Sequence, residues 1–92
     1  MVTAIVFVHA EVDQVPKVAE AIAAIDGVSE VYSVTGAIDL VVLVRVRAID
    51  DVAAVVTEQL NAVPGVLTTE THIAFRAYSR HDLEATFSLG MQ

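Results

Sequence analysis

Apolar and polar positions along this chain follow two rhythms in turn. Thr3 to His9 (TAIVFVH) is a run of β-branched and apolar residues, which predicts a first strand. Val15, Val18, Ile22 and Ile25 then recur at helical spacing, supported by Ala19, Ala21, Ala23 and Ala24. Asp13 is the expected N-cap of this helix, Pro16 fits its first turn, and Gly27 ends it. Val28 to Thr35 alternates with period two, placing Val28, Glu30, Tyr32 and Val34 opposite Ser29, Val31, Ser33 and Thr35 in a second strand. Gly36-Ala37-Ile38-Asp39 reads as a turn or bulge before a third strand, Leu40 to Arg47. Asp50 is the expected cap of a second helix with Val52, Val56, Leu60 and Val63 on its buried stripe, stopped by Pro64-Gly65. Val66 to Tyr78 is the fourth predicted strand, and Ser79 to Gln92 is a tail of mixed signals.

The two halves repeat. Ile5-Val6-Phe7-Val8 answers to Val41-Val42-Leu43-Val44, and Gly27-Val28 to Gly65-Val66. Each half is strand–helix–strand, and two such halves joined by a tight turn predict an α+β, ferredoxin-like βαββαβ sandwich. The expected antiparallel sheet has strand order 4-1-3-2 with both helices on one face. Residues 1–78 form the expected domain and 79–92 its C-terminal tail.

A sheet with one wet face should alternate apolar and polar residues. The two central strands do not: Ala4 to Val8 and Leu40 to Val44 are apolar on both parities. The helix-free face therefore needs a cover. A second copy packed sheet on sheet is the expected one, with the tail folding back as the alternative. A hydrophobic content of 55% and a mean hydropathy of +0.65, both high for 92 residues, support this expectation. A membrane is the other way to cover apolar surface. Asp39, Arg45, Asp50 and Glu58 interrupt every run short of the ~20 apolar residues that span a bilayer. The start Met1-Val2-Thr3 lacks the basic opening of a signal peptide, so the expected location is cytoplasmic.

Net charge is −7 with only five Lys and Arg, which makes direct binding to nucleic acid an unfavourable expectation. Cysteine is absent, which excludes disulfides, thiolate metal sites and thiol nucleophiles. His9 and His72 fall on strands expected to be neighbours, but no HxH or HExxH spacing marks a metal site. Four glycines, Gly27, Gly36, Gly65 and Gly90, form no phosphate-binding loop, and no nucleophile elbow or paired-carboxylate arrangement stands out. No cofactor is expected. Two features remain. In Val34-Thr35-Gly36-Ala37-Ile38-Asp39, Gly36 permits a turn that exposes amides and Asp39 offers a carboxylate. Together these suit a small zwitterion, or else form an ordinary hairpin with a turn aspartate. In Thr68-Thr69-Glu70-Thr71-His72-Ile73, Thr69 and Thr71 share one side of a strand with Ile73 and Phe75. Their hydroxyls suit a polar ligand, or simply a β-favouring sequence.

V-T-G-x-x-D at the turn, P-G-V before the fourth strand and T-x-T-H-I within it, in this order and spacing, resemble the effector domain of the Lrp/AsnC regulators. That domain is also called RAM, for regulation of amino-acid metabolism. The resemblance runs from about Val2 to Tyr78. It implies face-to-face dimers that assemble into rings and bind small effectors, usually amino acids, between dimers. It gives Gly36 and Asp39 the turn positions that hold the effector's main-chain groups, with Thr35, Ala37 and Ile38 completing that turn. It gives Thr69 and Thr71 the strand positions lining the cleft. Ala37 and Ile38 leave the effector's identity open. Full family members carry a helix-turn-helix ahead of this domain, whereas the first strand here starts at residue 3. The expectation is thus a stand-alone, non-enzymatic sensing module with no DNA binding of its own. Two alternatives stand beside it: a small cofactor-free dimeric α+β barrel enzyme of oxygenase or isomerase type, and a structural subunit that co-assembles with full-length Lrp/AsnC regulators.

Overall fold

The computed structural model describes residues 1–78 and 80. Along the chain it forms β1 (Val2–Ala10), α1 (Val15–Ala23), β2 (Val28–Ser33), β3 (Leu40–Val46), α2 (Ile49–Ala53) running on as a π-helical segment (Ala54–Leu60), and β4 (Val66–Ala74). The four strands make one antiparallel sheet in the order β2-β3-β1-β4, the expected 4-1-3-2 read from the other edge. This is the α+β ferredoxin-like fold.

Strand parity decides which side chains are buried. Ala4, Val6, Val8 and Ala10 of β1 and Leu40, Val42 and Val44 of β3 point one way. They pack against Val18 and Ile22 of α1, Val52 of α2, and Val55, Val56 and Leu60 of the π-helical segment. Both helices therefore lie on one face, and that face holds the core. The opposite parity puts Ile5 and Phe7 beside Leu43 and Val41 on the helix-free face, where all four are only partly buried.

Several local expectations need correction. Asp13 does not cap α1. Gln14 occupies the cap position without a side-chain bond, because Glu11 to Gln14 already close a turn through Gln14 N–H to Glu11 C=O at 2.9 Å. Asp50 lies inside the first turn of α2. The cap residue is Ala48, and it is Asp51 whose Oδ2 accepts from the Ala48 N–H at 3.2 Å. The strict alternation of β2 is broken by a bulge between Val28 and Glu30, which turns Val28 and Val31 toward the core while Glu30 and Tyr32 face away. Finally, β4 stops at Ala74 rather than Tyr78. Ala74 pairs with Thr3, the last register pair of β4 with β1.

Gly65 fixes how β4 enters the sheet. Its φ is +97°, and a Cβ there would lie 2.7 Å from Val18 Cγ2, so only glycine lets β4 start this close to α1. Its carbonyl accepts from the Glu11 N–H at 2.8 Å, tying the start of β4 to the end of β1.

Candidate ligand-binding site

The β2–β3 turn arrives at the same end of the molecule. Gly36, with φ +110° and open space around it, turns the chain. Two backbone bonds of 3.0 Å then hold it: Val34 N–H to Asp39 C=O, and Asp39 N–H to Val8 C=O. The last register pair of β1 and β3 is Val8 with Leu40, so the ladder ends before Ala10. The Asp39 side chain continues it, its Oδ2 accepting from the Ala10 N–H at 2.9 Å. His9 Nδ1 lies 4.0 Å from the same oxygen, outside hydrogen-bond range but within electrostatic reach. Asp39 thus has one carboxylate oxygen committed to the fold, on a side chain still 39% exposed.

Beside this turn lies an open cavity of about 390 Å³, lined by Phe7, His9, Ile38, Thr68, Thr69 and Glu70. Phe7 and Ile38 give it apolar wall, while the threonines and Glu70 give it polar wall. Register explains the company: Phe7 pairs with Glu70, Val8 with Thr69 and His9 with Thr68. The amides of Thr35, Gly36, Ala37 and Ile38 have no hydrogen-bond partner among the described residues. Thr35, Gly36 and Ala37 are exposed, whereas Ile38 and Asp39 are half-buried.

The expected site residues come together only in part. Ile38 and Thr69 meet in one cavity, with Asp39 next in the chain to Ile38. Thr71 does not line it. It shares its side of β4 with Thr69, opposite Val6 and toward the helix layer, and is exposed. The Thr69 hydroxyl is also in use, donating to Asn61 Oδ1 at 2.8 Å. Phe7, His9, Thr68 and Glu70 are the lining residues that sequence reasoning did not single out as a site. The signal for them was the register of β1 against β4, which pairs Phe7 with Glu70 and His9 with Thr68 near the strand end where the turn arrives. His9 and His72 do not pair with each other. His72 sits across from Ile5, 2.9 Å from Glu70 Oε2 through Nε2, with its ring 5.2 Å from that of Phe7. Among the described residues no group of three or more His, Asp or Glu is placed to hold a metal ion.

This geometry has relatives. The family model for the Lrp/AsnC ligand binding domain matches residues 3–83. An uncharacterized HTH-type transcriptional regulator of Bacillus subtilis (strain 168), YugG, is 36% identical over 66 residues, which are 72% of this chain and 39% of that protein. The chain therefore spans well under half the length of that regulator. The crystal structure of TTHA0845 from Thermus thermophilus superposes with a TM-score of 0.82 at 46% identity, over 87% of this chain and 100% of the other. The transcriptional regulator NMB0573 of Neisseria meningitidis, solved as its L-Met complex, shares the fold with a TM-score of 0.77 at 15% identity, over 86% of this chain and 53% of that one. The sheet order and the match over residues 3–83 agree, and the chain belongs to the family of Lrp/AsnC ligand-binding domains.

Proposed function

We propose that this domain binds a free amino acid or a closely similar metabolite at the β2–β3 turn and acts as a regulatory, non-enzymatic module in a homo-oligomer. One observation carries the reading. Unpartnered amides, a half-exposed carboxylate and a partly apolar cavity converge at the end of β1. An α-amino acid needs those three things: donors for its carboxylate, an anion for its ammonium and a wall for its side chain. The Thr35, Gly36 and Ala37 amides take the first role, Asp39 with its remaining oxygen the second, and Ile38 and Phe7 the third. Thr69 lines the floor. Thr71, outside the cavity, joins the site only from a neighbouring copy. Support from outside the chain is the L-Met bound to the Neisseria meningitidis regulator, a protein of the same fold.

The homo-oligomer, a dimer assembling further, rests on the partly buried Ile5, Phe7, Val41 and Leu43 of the helix-free face, which a second sheet would cover. Any effect on transcription would pass through a partner, a full-length Lrp/AsnC-type regulator being the fitting one. Neither nucleic acid nor membrane is proposed as a direct partner. The net charge of −7 repels phosphate tracks, and no helix among the described residues is long and apolar enough to cross a bilayer.

A thermal-shift screen against the proteinogenic amino acids tests the reading. A ligand present at 100 times its Kd adds about 2.7 kcal/mol. In a domain of this size each kcal/mol moves Tm by roughly 4–8 °C. At least one amino acid is expected to raise Tm in this way; no shift with any of them at millimolar concentration would overturn the proposal.

A further inference from the structure

The helix-free face carries a histidine–carboxylate pair among its apolar residues. His72 of β4 stands across from Ile5 of β1, and Glu70 stands across from Phe7. His72 Nε2 lies 2.9 Å from Glu70 Oε2, and the imidazole sits against Phe7 with ring centroids 5.2 Å apart at 57°. Ile5 and Phe7 are two of the four residues that a second sheet would cover, so a copy seated on them also reaches this pair. The charged groups around it are already placed elsewhere. From β1, the facing Ile5 and Phe7 do not titrate, and His9 is within electrostatic reach of Asp39 at 4.0 Å. Arg45 of β3 and Glu30 of β2 lie two and three strands away. The first reaches the Ser29 hydroxyl, and the second accepts from the Tyr32 hydroxyl. Arg76 lies past the end of β4, and both helices pack on the opposite face. A second copy brings the same groups again.

In the single chain the pair is open, with side chains 54% and 70% exposed. So wet a pair contributes little, because water solvates Glu70 whether or not His72 holds a proton. Under a second copy the two protonation states part. With neutral His72, a lone carboxylate is taken out of water beside apolar side chains. With protonated His72, that carboxylate is neutralised by a charged donor already in contact with it. The proton shared by the two groups is therefore held more firmly in the assembly than in the free chain. By linkage, the assembly is held more firmly where that proton is present. We propose, resting on the sheet-on-sheet homo-oligomer above, that the His72–Glu70 pair makes the association of two copies proton-dependent. The assembly tightens as pH falls through the range where histidine titrates.

Sedimentation velocity of the full chain, diluted through its dissociation range at about pH 8 and about pH 6 and at constant ionic strength, tests the proposal. Leu43→Ala provides a looser background if wild type does not dissociate on dilution. Wild type is expected to associate about tenfold or more tightly at the lower pH, since each copy contributes one charge-assisted bond. His72→Gln should lose most of that gain, and His9→Gln should keep it. Each of these variants removes one titrating group, so a general fall in the net charge of −7 would move both alike. Glu70→Gln should also abolish the gain, because protonated His72 then has no carboxylate to neutralise. All three side chains are exposed, and circular dichroism of each variant reports its fold. An associated protein whose affinity is equal at the two pH values, falls at the lower one, or responds alike in the His72 and His9 variants would overturn the proton dependence alone. A chain that stays monomeric at both pH values at micromolar concentration would overturn the second-copy reading along with it.

Discussion

Gly36 and Gly65 both have positive φ, at +110° and +97°, yet they hold different kinds of structure. A Cβ on Gly36 would meet nothing within 4 Å, so Gly36→Ala suffers only the left-handed backbone, roughly 1–2 kcal/mol. A Cβ on Gly65 would press on Val18 at 2.7 Å, adding an overpacking cost of about 1–3 kcal/mol. Urea denaturation should therefore rank Gly65→Ala clearly below Gly36→Ala in stability; equal midpoints would contradict the close approach of β4 to α1. Both glycines stand out in the sequence as chain breakers. The task of Asp39 does not, because its partner is the amide of Ala10, 29 residues away. Local sequence shows a turn aspartate; only the end of the β1–β3 ladder shows which donor needs it.

Elements were legible where burial imposed a period. Of the expected stripe Val52, Val56, Leu60 and Val63, the first three are buried as their four-residue spacing requires, with Val55 beside them, while Val63 lies past the helical segment and is only partly buried. That the helix continues as π-helix from Ala54, ending with Asn61 N–H on Val56 C=O at 2.9 Å, leaves no trace in the pattern. The caps depart from expectation for a physical reason. Asp13 and Asp50 have the chemistry of N-caps, but so has any aspartate near a helix start, and which one bonds depends on where the preceding turn releases the chain. The bulge in β2 was equally hidden, since Val28 and Val31 can both face the core only if one residue is skipped. Leu60 is fully buried where the π-helical segment meets the sheet. Leu60→Ala should cost about 2–5 kcal/mol through the cavity it leaves, measured by chemical denaturation. A loss below about 1 kcal/mol would mean that this segment is not packed as described.

At the scale of the whole molecule the two faces of the sheet differ. The helix side is closed, whereas Ile5, Phe7, Val41 and Leu43 on the other side keep part of their surface, with Tyr32 at 49% exposure on the same face. The apolar parity of β1 and β3 makes this open face legible in the sequence, because the helices can cover only one side. Light scattering on the eluting protein should give at least twice the chain mass of 9.8 kDa at micromolar concentration. Leu43→Arg should shift it toward monomer without touching the helix-side core. A wild-type monomer would leave this face without the proposed cover. The cleft was legible in outline, as a turn plus a strand. Its actual lining was not, since it depends on which residues of β1 and β4 stand opposite each other.

The central claim is that Asp39 and its turn hold an amino acid, and calorimetric titration of wild type against Asp39→Asn tests it most directly. Asparagine keeps an oxygen for the Ala10 N–H, so the turn survives while the charge facing the ammonium is removed. Wild type is expected to bind the amino acid found in the screen with a saturable heat. Asp39→Asn should bind it about tenfold or more weakly, because a charge-assisted hydrogen bond contributes roughly 1.5–3 kcal/mol. Equal affinity in a folded Asp39→Asn variant would contradict the assignment of the site.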